Sequence, residues 1–213
     1  MDSKGILFIV SAPSGAGKTS LCKEVLRRVR ADGARPLRWS CSYTTRSPRE
    51  GEVHGKDYFF VSDAEFDRMV RAGEFAEWAR VHGRKYGTSQ RYLEEAEAEG
   101  IDLLLEIDCQ GARQLREKYP RGRFIFVLPP SWQVLKERLS GRGTESAEEV
   151  AKRLQTARTE VQEWGMYDYL VVNDDFARAA EELRAVITAE GCRREARREA
   201  VERILETFAD KDQ

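Results

Sequence analysis

Ile6-Leu7-Phe8-Ile9-Val10-Ser11-Ala12-Pro13-Ser14-Gly15-Ala16-Gly17-Lys18-Thr19 is the stretch on which the fold turns. Its first five residues form a continuous apolar run rich in β-branched side chains, as in a central parallel strand buried on both faces. Residues 11–17 are rich in turn formers. From Lys18 onward Leu21, Val25 and Val29 recur on one helical face, and Gly33 and Pro36 stop the helix. Strand, glycine loop and helix in that order match the phosphate-loop pattern G-x-x-x-x-G-K-[ST], with Ala12 in place of the first glycine. In such a loop backbone N–H groups curl round a β-phosphate and the helix N-terminus adds a positive dipole end. Lys18 reaches the β and γ oxygens, and Thr19 is placed to bind Mg²⁺. A methyl at Ala12 is tolerable where that residue does not need positive φ. The residues expected to bind a nucleoside triphosphate are therefore Ala12, Pro13, Ser14, Gly15, Ala16, Gly17, Lys18, Thr19 and Ser20.

Downstream, strands are expected at 103–107, 124–128 and 169–172, alternating with helices near 110–118, 131–140 and 147–163. This alternation implies an α/β fold with a parallel sheet flanked by helices. Residues 42–92 break the rhythm with a strand at 58–61, a capping box at Ser62 and Glu65 closed by Gly73, and alternation over 75–81, as in an inserted lobe. A second capping box, Ser146 with Glu149, follows an arginine-rich segment at 138–145. A last helical stretch runs from about residue 176. The tail interleaves Arg193, Arg194, Arg197 and Arg198 with Glu195 and Glu199, then places Val201, Ile204, Leu205 and Phe208 at helical spacing: a solvated amphipathic helix.

The chain has 213 residues, 41% of them apolar, which suits one domain with insertions and excludes disorder throughout. Lysine and arginine total 36 against 37 acids, so no basic field draws the protein to nucleic acid or membrane, and an anion must be recognised locally. Cys22, Cys41, Cys109 and Cys192 are far apart with no C-x-x-C pair, which indicates neither a zinc knuckle nor a disulfide framework. No run is long enough for a signal segment or a membrane span, and a cytoplasmic location is expected.

The inserted segment opens with Ser42-Tyr43-Thr44-Thr45-Arg46-Ser47-Pro48-Arg49, followed by Gly51-Glu52-Val53-His54-Gly55-Lys56-Asp57-Tyr58. Arg46 and Arg49 are suited to grip a phosphate bidentately while Ser42 and Tyr58 supply hydroxyl donors. This is a second anion site, fit for a monophosphate acceptor. Further along, Leu103-Leu104-Leu105-Glu106-Ile107-Asp108 is an apolar strand running into acids, whose alternation places Glu106 and Asp108 on one side.

At these motifs the chain resembles the guanylate kinase family, whose S-x-T-T-R-x-P-R and G-E-x-x-G-x-D-Y signatures stand here almost unaltered. The resemblance continues through Glu74 to Trp78, Tyr86-Gly87-Thr88, Glu106 to Gly111, Arg138 to Ser146 and Val172 to Asp175, covering nearly the whole chain. It implies a single domain over 1–213, with a core at 1–41, 93–131 and 164–213, a GMP-binding lobe at 42–92 and a helical lid at 132–163. It implies a phosphate-loop nucleoside monophosphate kinase that transfers the γ-phosphoryl of ATP to GMP, with Mg²⁺ carried as Mg·ATP. The partners implied are ATP and GMP, with dGMP as a further acceptor, and the protein is expected to be a monomer or homodimer.

By the same similarity Ser42, Arg46, Arg49, Tyr58 and Tyr86 hold the GMP phosphate, and Glu77, Thr88 and Asp108 hold the guanine. Chemistry agrees, because guanine offers N1–H and N2–H₂ donors that carboxylates accept, whereas adenine N1 is an acceptor. Trp78 and Phe75 are expected in the core. Glu106 either touches the magnesium water shell or pairs with an arginine. Arg138 and Arg142, four apart, and Arg153 one helix later match a family lid that folds guanidiniums over ATP; ion pairs with Glu145, Glu148 and Glu149 are the alternative. Asn173 resembles a position near the adenine, although Asn-Asp-Asp after a strand is also a turn. Arg158 is expected to be solvated. Lys18, Arg46, Arg138, Arg142 and Arg153 are the expected catalytic cations, with in-line attack by a phosphate that needs no general base. Rivals are a phosphate-loop kinase with another acceptor, which Glu77, Thr88 and Asp108 oppose, and a non-catalytic binding module, which the intact Gly17-Lys18-Thr19 opposes.

Overall fold

The computed structural model describes residues 5–31, 36–141 and 147–209. Arg142 and Ser146, and so the second capping box, lie outside the described residues. The core begins with β1 (Leu7–Ser11), α1 (Lys18–Ala31) and β2 (Leu37–Trp39). A second unit follows: β3 (Ser42–Thr44), β4 (Tyr58–Phe60), α2 (Asp63–Arg71), β5 (Phe75–Val81) and β6 (Arg84–Ser89). The chain returns through α3 (Gln90–Ala98), β7 (Asp102–Glu106), α4 (Cys109–Lys118), β8 (Arg123–Leu128), α5 (Trp132–Ser140) and α6 (Ala147–Glu160). A 3-10 helix (Val161–Met166), β9 (Tyr169–Val172), α7 (Phe176–Glu190) and α8 (Arg194–Ala209) complete it. No helix among the described residues is long and apolar enough to cross a membrane.

Five strands form one parallel sheet in the order β2-β7-β1-β8-β9. β1 is central, and the two periodic sets of its side chains go to opposite faces. Phe8 and Val10 join a core shared with Leu21, Val25 and Val29 of α1 and Leu183 and Ile187 of α7. Leu7 and Ile9 join the other, with Leu93 of α3 and Leu115 of α4. Burial on both faces is why the strand reads as an unbroken apolar run.

The second sheet, β4-β3-β6-β5, has its own small core of Phe66, Met69 and Phe75. Its edge strand β5 is covered by α4: the Gln114 side chain accepts from the Trp78 amide at 3.2 Å and donates to the Trp78 carbonyl at 2.7 Å. Lys118 Nζ donates to the Ala76 carbonyl at 2.6 Å, so side chains take the hydrogen bonds a further strand would. The capping box at α2 is half formed. Ser62 Oγ accepts the Glu65 amide at 3.1 Å, but the Glu65 carboxylate turns to Arg68 at 2.9 and 3.0 Å.

Four expectations change. The helix placed at 147–163 ends at Glu160 and tightens into the 3-10 turn. Trp78 is not core: it is 40% exposed, because β5 turns Glu77 inward and Trp78 outward, while Phe75 is buried as expected. Asp108 does not continue the strand, which stops at Glu106; it caps α4 with extended backbone, so strand alternation does not relate the two acids. Arg158 is exposed yet not free in solvent, since its guanidinium stacks 4.5 Å from the Trp132 ring centroid.

Candidate functional site

The two sheets and α6 surround an open pocket of about 260 Å³. Residues 12–20 line one wall, Ser42, Arg46, Arg49, Tyr58, Glu77 and Tyr86 another, and Glu106, Asp108, Arg153 and Glu160 a third, with Ala79, Val81, His82, Gly87 and Ile107 filling in between.

The loop geometry follows from its sequence. Gly15 and Gly17 take φ of 91° and 89°, whereas no described non-glycine residue other than His82 has positive φ, so Ala12 is unstrained in place of glycine. A Cβ on Gly17 would lie 2.5 Å from Asn173 Nδ2. That amide donates to the Ala16 carbonyl at 2.7 Å, and Arg138 donates to the Asn173 carbonyl at 2.9 Å. Asn173 is thus buried behind the loop rather than lining the pocket, with its Oδ1 lacking a partner, and Arg138 braces it. Lys18 Nζ donates to the Ile107 carbonyl at 2.5 Å. Thr19 Oγ1 donates to Glu106 Oε1 at 2.5 Å, and Glu106 Oε2 is buried without a partner. A hydroxyl beside an under-used carboxylate is an all-oxygen donor set, which suits a hard cation such as Mg²⁺.

Across the pocket, Glu52 fastens both Arg46 and Arg49. Its carboxylate takes the Arg46 fork at 2.9 Å on each oxygen and the Arg49 amide at 2.7 Å. The Arg46 guanidinium lies 5.5 Å from the Tyr58 ring centroid, and burial pushes the Tyr58 phenol up, keeping it a neutral donor. Ser42, Arg49 and Tyr86 complete this wall.

Below it sits Glu77, only 3% exposed. Thr88 Oγ1 donates to Glu77 Oε1 at 2.5 Å, and the Ser42 hydroxyl stands 3.5 Å from Thr88, so the Thr88 proton is spent on Glu77. The carboxyl is pushed up to about 7, chiefly by burial and further by Asp108, against the Thr88 hydrogen bond. Asp108 accepts from the Gly111 amide at 2.9 Å and from Gln110 at 3.1 Å. Gly111 is the close approach that admits Glu77: a Cβ there would lie 2.4 Å from Glu77 Oε2.

Of the expected lid arginines, Arg153 reaches the pocket, Arg138 braces Asn173 and Arg142 lies outside the described residues. Sequence reasoning missed His82 and Glu160. His82, φ 47°, and Gly83, φ 80°, make the two-residue turn joining β5 to β6; a polar-glycine pair after an alternating strand was a readable hairpin signal. Glu160 carried no local signal. Its Oε2 accepts the Ser14 amide at 3.2 Å, a contact between residues 146 positions apart.

Residues 4–190 match the family model described as guanylate kinase. A guanylate kinase from Geobacter sulfurreducens is 57% identical over 193 residues, covering 91% of this chain and 93% of the relative. Another, from Geobacter metallireducens, is 54% identical over 211 residues, covering 99% and 98%. Among solved structures, a guanylate kinase from Anaplasma phagocytophilum superposes with a TM-score of 0.72 at 31% identity, covering 92% of this chain and 91% of that one.

Proposed function

The chain belongs to the guanylate kinase family, and from that premise we infer a nucleoside monophosphate kinase that transfers the γ-phosphoryl group of ATP to GMP, giving ADP and GDP in purine metabolism. The observation that carries it is a buried carboxylate, Glu77, set between two separate anion grips in one pocket. The loop from Ala12 to Ser20 takes the triphosphate of ATP. Ser42, Arg46, Arg49, Tyr58 and Tyr86 take the GMP phosphate, and Glu77 and Asp108 accept the guanine N–H donors. Thr88, through its hydroxyl on Glu77, orients that carboxylate. Asn173 serves the donor site by holding the loop at Ala16. The division into core, acceptor lobe and lid belongs to the same proposal.

Thr19 and Glu106 would hold Mg²⁺ delivered with ATP, directly and through its waters. No group of three or more His, Cys, Asp and Glu among the described residues would hold a metal unaided. Bound there, the ion neutralises charge on the β and γ oxygens. The protein's own part is positional and electrostatic: the GMP phosphate, with a second pKa of about 6, is already mostly dianionic and attacks in line without a base. Lys18, Arg46 and Arg153, with Arg138 and Arg142, spread the charge that develops.

Coupled ADP release with Mg·ATP against GMP, dGMP, AMP, CMP and UMP tests the assignment. Turnover is expected with GMP and dGMP alone. Turnover with AMP in preference to GMP would refute the guanine site, and none with any acceptor would leave a binding module.

A further inference from the structure

Glu77, Glu106 and Asp108 have roles in the transfer just described; Glu160 is the pocket carboxylate left without one. It is the last residue of α6, seven positions and two turns after Arg153, so both side chains leave the same face of that helix and both line the pocket. Its carboxylate accepts the Ser14 amide, a donor of the loop whose backbone is shaped for phosphoryl oxygens. Burial pushes this carboxyl up, against the Ser14 hydrogen bond and Lys18 and with Asp108, so an anion is held here at a cost; Lys18 and Asp108 are the charged groups facing it.

We propose that Glu160 is a positioning residue that sets donor affinity. Its carboxylate occupies the Ser14 amide as an internal anion, and an arriving triphosphate displaces it. Donor binding thereby frees the C-terminal end of α6 from the loop and lets Arg153 move with the helix toward the phosphates. The proposal rests on the loop being the donor site. A carboxylate and a triphosphate in one partly buried site disfavour each other, so the carboxylate weakens donor binding and couples it to the position of α6.

Glu160→Gln keeps the length and an acceptor oxygen and removes the charge. Titration calorimetry with ATP in the absence of GMP is expected to show about tenfold tighter binding than wild type, a change typical of one removed like-charge contact. The Kd for GMP is expected to stay unchanged, and the KM for ATP to fall by more than kcat changes. Glu160→Ala, which also removes the acceptor, is expected to tighten ATP binding too, and thermal melts check that both variants fold. Unchanged or weaker ATP binding in Glu160→Gln would overturn the proposal, as would equal tightening for GMP, which would report a general field. Weaker ATP binding in Glu160→Ala would assign the contact to holding the loop in shape and also overturn it. The comparison needs only binding, so it is separate from whether wild type turns over GMP.

Discussion

A carboxylate buried among apolar and polar walls shifts its titration into the physiological range, and Glu77 does so by facing inward from β5 where Trp78 faces out. Its native value of about 7 lies above the usual 4.5, so folding favours the protonated form. The associated stability is fully present below 4.5 and is lost as pH rises through 7, on the order of 3 kcal/mol in all. Denaturant unfolding should therefore show wild-type stability falling between pH 5 and 7.5 more steeply than that of Glu77→Gln. With the proposed guanine contact at Glu77, GMP binding should have the opposite sign, because guanine N–H groups need the ionised form: affinity should rise and a proton should be released as pH rises through 7. The GMP phosphate titrates near 6 and contributes below that range. Calorimetry in Glu77→Gln should keep the phosphate component and lose the one near 7. Gly111 matters for the same carboxylate. Gly111→Ala drives a methyl into Glu77 Oε2, and overpacking strain of about 1–3 kcal/mol should raise the GMP KM about tenfold or more with little change in the ATP KM.

The loop between β1 and α1 has glycine conformations that the sequence dictates, but its shape is held from outside. Asn173, at the end of β9, closes on the Ala16 carbonyl, and Arg138 of α5 closes on Asn173. Removing that amide leaves a buried carbonyl unpaired, at about 1–3 kcal/mol. Asn173→Ala should lower the unfolding free energy by that order and raise the ATP KM several-fold while sparing GMP binding, as steady-state kinetics and denaturant titration would record. Elements carrying strong apolar periodicity were legible: β1, α1, β7, β8 and α7 stand where the pattern put them. β2, β3, β6 and α3 were not. Two of the strands have three residues, too few for alternation to show, and β6 is polar because Lys85, Tyr86 and Thr88 have partners in the lobe and pocket rather than in a core.

Across the whole molecule the pocket lies between two sheets, while α8 stands apart, with Val201, Ile204, Leu205 and Phe208 each about half exposed or more. A helix that buries so little contributes little to the fold. Deleting residues 194–213 should shift the melting temperature by less than about 2 °C and leave kcat near wild type, as scanning calorimetry and the coupled assay would show. The sequence by itself determined the parallel sheet, the strand, glycine loop and helix over 6–31 and the close pairing of Arg46 with Arg49, because each is written in neighbouring residues through periodicity, turn chemistry or a contiguous motif. Only the tertiary structure decided that Glu77 is buried and titrates near 7, that Asp108 is a helix cap, that Asn173 braces the loop and that Glu160 lies on Ser14. Each of those depends on partners far away in the chain, and burial and long-range hydrogen bonds leave no mark in local order.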